Sequence, residues 1–126
     1  MATARIPRVL LVDDSVDLIN YLSFQLQRAG FEVCTAFGGL EAVRLLEEDG
    51  AFAAVVVDLQ MPHGDGLGVL EAIRSSGGEL PVFLMSGDSK LNDAHAKKLG
   101  ATGFLAKPFA PSALTFRIMS ALAKSG

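Results

Sequence analysis

The chain reads as an α/β protein, a doubly wound (βα)5 sandwich of three layers with a five-stranded parallel sheet between helices. Two observations predict this. Short apolar runs alternate five times with segments whose apolar residues recur at helical spacing, the pattern of a parallel sheet built from right-handed crossovers. The central runs, Arg8 to Val12, Val55-Val56-Val57 and Pro81 to Met85, do not alternate between apolar and polar residues, as expected of strands buried on both faces.

After the first strand, Ser15 is suited to cap a first helix with the inward stripe Leu18, Leu22, Leu26 and Ala29, and Gly30 ends it. Phe31 to Thr35 alternates more and is expected near a sheet edge. Gly38-Gly39 opens a second helix with Ala42, Val43, Leu45 and Leu46 inward and Glu41, Arg44, Glu47 and Glu48 outward. The third strand, Ala53 to Val57, runs into Asp58, and Asp65 is expected to cap a helix that buries Leu67, Leu70 and Ile73. A loop at Ser76-Gly77-Gly78 precedes the fourth strand. A more polar helix is expected over about Lys90 to Leu99, stopped by Gly100. Thr102 to Ala106 is the last strand, and Pro111 suits the first turn of a final helix with the stripe Leu114, Ile118 and Leu122. The connections have ordinary lengths and no linker or repeat interrupts them. Residues 1–126 are therefore expected to form a single domain, with its core over about 6–123 and no output domain within it.

Composition narrows the function. Half of the residues are apolar and a fifth are charged, which suits a folded domain and not a disordered one. A net charge of −3 gives no basic stripe for direct nucleic-acid binding. The single cysteine, Cys34, rules out an internal disulfide and a Cys-based zinc site, and is expected to be a buried small hydrophobe. With no signal-peptide pattern and no apolar run near the length of a membrane span, a soluble cytoplasmic domain is the expectation. His63 and His95 are expected at the surface, and Lys90, Lys97 and Lys98 on a solvated helix face.

The chemistry lies in the residues just past the strands. Asp13-Asp14 stands after the first, Asp58 after the third, Ser86 after the fourth and Lys107 after the fifth. In a sheet of order 2-1-3-4-5 the first and third strands are neighbours and the ligand crevice lies at their carboxyl ends. Three carboxylates then converge, with a hydroxyl and an ammonium beside them. Two carboxylates about 4 Å apart repel by about 4 kcal/mol at an effective dielectric near 20, so the cluster calls for a raised pKa, a cation, or both. Oxygen donors without His or Cys favour a hard ion, Mg²⁺ first. The chemistry inferred is Mg²⁺-dependent phosphoryl handling with a carboxylate as nucleophile. Asp58 is central and is the best candidate.

Asp13-Asp14, Asp58-Leu59-Gln60-Met61-Pro62 with Asp65-Gly66, Ser86-Gly87 and Lys107-Pro108-Phe109 together resemble the receiver domain of two-component response regulators, over about Ile6 to Leu122. The resemblance implies a flavodoxin-like fold and a phosphoacceptor signalling switch. By it, Asp58 takes a phosphoryl group from a histidine kinase or a histidine phosphotransfer protein. Asp13, Asp14, Asp58 and the Gln60 carbonyl would arrange Mg²⁺, while Ser86, the Gly87 amide and Lys107 would hold phosphoryl oxygens. It further implies a cis peptide before Pro108, a switch pair in Ser86 and Phe104, and tuning of phosphoryl lifetime by Gln60 and Asp88. Partners would read the fourth helix, fifth strand and fifth helix. Transcription-factor receivers often dimerise through acids near the fifth strand and bases on the fifth helix. Arg117 matches one such base, but Thr102 and Gly103 stand where acids would be, so that dimer is not expected.

Under this reading the chain is not a metabolic enzyme and catalyses only phosphorylation and dephosphorylation of its own aspartate. The alternative is a Mg²⁺-dependent aspartyl-nucleophile phosphatase of haloacid-dehalogenase type. That family requires a second acid two residues after the nucleophile, where this chain has Gln60. Dinucleotide binding is excluded, because no Gly-x-Gly-x-x-Gly follows the first strand.

Overall fold

The computed structural model describes residues 6–61 and 66–125. Its strands are β1 (Arg8–Val12), β2 (Glu32–Ala36), β3 (Ala54–Asp58), β4 (Val82–Ser86) and β5 (Gly103–Ala106). Its helices are α1 (Val16–Arg28), α2 (Gly39–Glu48), α3 (Gly66–Ser75), α4 (Asp93–Leu99) and α5 (Pro111–Ser125). Strands and helices alternate, and the strands pair in parallel in the order β2-β1-β3-β4-β5.

Strand side chains point alternately to the two faces, and each face buries its own core. Leu10, Val12, Val55, Val57, Val82 and Leu84 pack with Ala42 of α2, Val69, Leu70 and Ile73 of α3, and Ala96 of α4. Val9, Leu11, Val56, Phe83 and Met85 pack with Ile19, Leu22 and Leu26 of α1 and Leu114 and Ile118 of α5. Each of these large side chains, fully removed from water, contributes about 1.5–3 kcal/mol of hydrophobic stabilisation. That two-sided burial is why β1, β3 and β4 are apolar throughout. β2 lies at one edge and is mostly half-buried, as its alternation predicts.

Several boundaries and stripes differ from expectation, each for a local reason. Ala29 is not part of the α1 stripe but its exposed C-cap, because Gly30 turns the chain with a φ of 101°. Ile19, Leu22 and Leu26 form the buried arc, with Leu18 at its margin. In α3 the arc runs through Gly66, Val69, Leu70 and Ile73, and Leu67 is only half-buried. The close approach of Gly66 to β3 sets that rotation. The helix expected from Lys90 begins at Asp93, because Asn92 accepts the His95 amide and caps it there, while Lys90 and Leu91 form a turn on Asp88. Cys34 is half-buried, and its sulfur accepts a hydrogen bond from the Arg8 guanidinium at 2.8 Å, so it is not simply a small hydrophobe. His95, Lys97 and Lys98 are exposed on α4 and Lys90 is exposed just before it. His63 and the cap expected of Asp65 lie outside the described residues. Among those described, no helix is long and apolar enough to cross a membrane.

A Cβ at Gly66 would stand 2.3 Å from the Asp58 carbonyl oxygen, a backbone atom that cannot swing aside. Gly66→Ala is therefore expected to push α3 off β3 and to cost about 1–3 kcal/mol, the usual range for overpacking. Urea denaturation checks this; a midpoint unchanged from wild type would contradict it.

Candidate functional site

The site is assembled by the ends of four neighbouring strands. Register sets Val12 against Val57, so the next step brings Asp13 beside Asp58 where the chains leave the sheet. Ser86 closes β4 opposite Ala106 of β5, and the Lys107 amide continues that ladder by donating to the Ser86 carbonyl at 2.8 Å. The cis peptide between Lys107 and Pro108 is present, as the resemblance implies.

Asp13, Asp58 and Ser86 are buried at 1%, 4% and 0% exposure, whereas Asp14 is exposed. Lys107 Nζ donates to Asp13 Oδ2 at 2.8 Å and lies 3.4 Å from Asp58 Oδ1. One ammonium thus stands between two buried acids. Asp58 Oδ1 also accepts the Gln60 amide at 3.2 Å, and Asp13 Oδ1 accepts the Ser15 amide at 2.9 Å. Burial pushes the Asp58 carboxyl above the ordinary carboxylate range, and the neighbouring Asp13 charge adds to this. The Gln60 amide and Lys107 oppose it. One remedy expected for crowded acids, a raised pKa, is therefore in place, and the Lys107 ammonium adds a neighbouring positive charge.

Oxygens of Asp13, Asp14 and Asp58 all lie within 4.8 Å of one another. This all-oxygen donor set, two members sheltered and one open to solvent, fits a hard divalent ion that keeps part of its water shell. Beside it, the Ser86 hydroxyl accepts the Asp88 amide at 3.0 Å. Gly87 is exposed, and nothing lies within 4 Å of where its Cβ would be, which leaves room beside its amide. The Asp88 carboxylate accepts the Lys90 amide at 2.9 Å, while Gln60 is exposed. Phe104 is 8% exposed and belongs to the core between the sheet and α4. The strand ends therefore gather Asp13, Asp14, Asp58 and Lys107, with Ser86 closing the adjacent strand.

A sequence model of the response regulator receiver domain matches residues 9–119. The chain belongs to that family. Among curated proteins it is similar to the transcriptional regulatory protein PrrA of Mycobacterium tuberculosis, 39% identical over 121 residues. That alignment covers 95% of this chain and 52% of PrrA, so the receiver spans about half the length of such a relative. Among solved structures it is similar to the Francisella response regulator 1452 receiver domain, with a TM-score of 0.87, 28% identity and coverage of 95% and 99% of the two chains. It is also similar to the Vibrio cholerae chemotaxis protein CheY4, with a TM-score of 0.83, 31% identity and coverage of 92% and 98%. The phosphatase alternative finds no support among these proteins.

Two features of this receiver escaped the sequence. Gly66 belongs to the matching motif, but its contact with the Asp58 carbonyl appears only in three dimensions. Arg117 does not stand free as a base for dimer contacts. Its guanidinium is engaged by Asp93 within the same chain, at 2.9 and 3.3 Å.

A raised folded-state pKa means that Asp58 opposes folding once pH exceeds its unfolded value of about 4. The penalty grows from there to the raised folded pKa and is constant above it. Asp58→Asn is thus expected to raise the Tm of the metal-free receiver at pH 7 by about 2–5 °C, with the difference vanishing below about pH 4. Asp14→Ala should do less, because solvent screens an exposed charge. A thermal melt series across pH checks the sign; an Asp58→Asn Tm at or below wild type at pH 7 contradicts it.

Proposed function

We propose that this receiver is the phosphoacceptor switch of a two-component phosphorelay and that Asp58 is the residue phosphorylated. The observation that carries this is the pair of buried acids, Asp13 and Asp58, bridged by the Lys107 ammonium at 2.8 and 3.4 Å. The donor is a phosphohistidine on a histidine kinase or a phosphotransfer protein. A carboxylate oxygen of Asp58 attacks phosphorus, the phosphorus–nitrogen bond breaks, and the leaving imidazole nitrogen keeps the electron pair and is protonated from solvent. Lys107 faces the growing charge on the phosphoryl oxygens, and the Ser86 hydroxyl and Gly87 amide hold the others. Asp13, Asp14, Asp58 and the Gln60 carbonyl would hold Mg²⁺, which supplies charge neutralisation and orientation of the phosphoryl group. Attack by water on the acyl phosphate later returns inorganic phosphate and free Asp58.

As a switch, the domain acts on no substrate beyond its own aspartate, and it works in the cytoplasm where kinase and phosphotransfer partners reside. The acyl phosphate shifts α4, β5 and α5, the face that partners read, with Ser86 and Phe104 as the moving pair. Phe104 has no hydroxyl to anchor an outward or an inward rotamer, so Ser86 carries most of that coupling. A full reversal of a two-state equilibrium needs about 5.5 kcal/mol of differential stabilisation, so a partial shift is expected.

Incubation with phosphoramidate and Mg²⁺ followed by intact mass measurement tests the function. The expected result is a single phosphoryl adduct of about 80 Da, absent from Asp58→Asn and absent without Mg²⁺. No adduct on wild type, or an adduct retained by Asp58→Asn, would falsify the assignment.

Gln60 and Asp88 flank the approach of hydrolytic water. Gln60→Ala is expected to change the dephosphorylation rate several-fold, and Asp88→Ala less, because the Asp88 carboxylate is held by the Lys90 amide. Phosphate release timed by mass measurement decides this, and rates unchanged in both variants would remove them from the hydrolytic path.

A further inference from the structure

Ser86 is joined to α4 by a short hydrogen-bonded turn. The Ser86 hydroxyl accepts the Asp88 amide at 3.0 Å, and the Asp88 carbonyl accepts the Leu91 amide at 3.2 Å. Asn92 then caps the helix. Anything that draws the Ser86 hydroxyl toward Asp58 therefore pulls on the start of α4. The helix itself is lightly held. It has seven residues, of which only Ala96 is buried, and a small void lined by Leu59, Leu84, Leu91, Ala96, Leu99 and Phe104 lies beneath it.

Resistance to such a pull is concentrated at Asp93. Its Oδ1 accepts the Phe104 backbone amide of β5 at 2.8 Å and Arg117 Nη2 of α5 at 2.9 Å. Its Oδ2 accepts Arg117 Nη1 at 3.3 Å. Asp93 also stands in the first turn of α4, where a carboxylate is favoured by the helix dipole. The blander reading, a first-turn acid with a surface partner, accounts for the ion pair but not for the shared backbone amide of Phe104. Nor does it account for the path of Arg117. That side chain crosses β5 over Gly103, with its guanidinium 5.7 Å from the Phe83 ring centre. A Cβ at position 103 would stand 1.9 Å from Arg117 Nη2, so the guanidinium lies in space that any side chain at residue 103 would contest.

We propose that Asp93, Arg117 and Gly103 form a clamp that fastens the first turn of α4 to β5 and α5, and so sets the resting position of α4 and of Phe104. An interaction present only in the resting conformer opposes the shift to any other, and removing it makes the second conformer more populated. The clamp thus restrains the switch without touching Asp58. Its consequence for signalling rests on the phosphoacceptor function proposed above.

Three substitutions open the clamp by independent routes. Arg117→Met removes the guanidinium and keeps the aliphatic packing on Phe83. Asp93→Asn keeps an acceptor for the Phe104 amide and removes the charge. Gly103→Ala leaves both partners intact and displaces the guanidinium. Melting curves establish that each variant is folded, and hydrogen exchange at residues 94–99 and at the Phe104 amide reads the local restraint. The initial rate of adduct formation with phosphoramidate and Mg²⁺ reads the switch. The expected result is exchange about tenfold faster over these amides and an initial rate raised about three-fold or more in the folded variants, with Mg²⁺ affinity unchanged by calorimetry. Wild-type adduct rates in the folded variants overturn the clamp as a restraint on the switch, whether or not exchange loosens. Unaltered exchange overturns it as an anchor of α4. A wild-type chain that accepts no phosphoryl group defeats the phosphoacceptor function and the signalling role of the clamp with it.

Discussion

Two carboxylates buried side by side, with one ammonium between them, are the constraint on which the rest of this structure depends. Asp13 and Asp58 stand at the ends of neighbouring parallel strands, and the fold leaves them only 1% and 4% exposed. Uncompensated, such a pair is among the costlier arrangements a small domain can hold. Lys107 offsets it by reaching in from the end of β5 to a separation of 2.8 Å from Asp13. The raised pKa of Asp58 shows that compensation is incomplete, burial being the largest cause. Under the proposed function, that residual frustration is what the site puts to use. A carboxylate poorly satisfied by its own protein has more to gain from a hard cation, and its position beside a lysine and a serine offers new partners to a group attached to it.

The scaffold makes the frustration tolerable by rigidity. β1, β3 and β4 are buried on both faces and packed from either side by separate apolar clusters, so the strand ends cannot splay to relieve the acids. Gly66 adds to this by bringing the N-terminus of α3 hard against the Asp58 carbonyl. Packing is lightest on the far side of the site, where α4 buries a single side chain. One sheet therefore supplies a densely packed half, holding the acids, and a lightly packed half at α4.

The range of each interaction decides how legible it is in the sequence. The sheet order, the alternation and the strand-end residues are readable because burial on both faces leaves a continuous apolar run and a parallel sheet sends its ends to one crevice. Strand ends differ from expectation by about one residue. Phe31, for example, looks like strand but donates its amide to the Leu26 carbonyl and so belongs to the close of α1. The α3 stripe departs from expectation at Leu67 because the helix rotation is set by contact with β3, not by its own periodicity. Burial of Asp58 can be anticipated, but the exposure of Asp14 cannot, since adjacent residues differ only in which side of the chain they face. Arg117 is legible as a base on α5. Its partner is not, because Asp93 lies 24 residues away and the guanidinium reaches it through the space beside Gly103.

The Arg117 bridge involves none of the acids at the strand ends. Position 103 has no side chain, and the space it leaves is filled by a guanidinium from α5 that reaches a carboxylate on α4. A charge that could have faced a second molecule is turned inward. The Arg117 hydrogen bonds hold the Asp93 carboxyl below the usual carboxylate range, so the acid stays ionised and the bridge closed across ordinary pH. Both partners are partly exposed, with side-chain exposures of 32% and 47%, and an isolated pair so placed contributes little to global stability. Little is needed. An equilibrium between two positions of a lightly packed helix is shifted by a small difference in free energy, and the pair acts where the turn from Ser86 delivers its pull. Its weakness as a stabiliser is thus compatible with its strength as a local restraint, because it is opposed by the movement of one short helix and not by the unfolding of the domain.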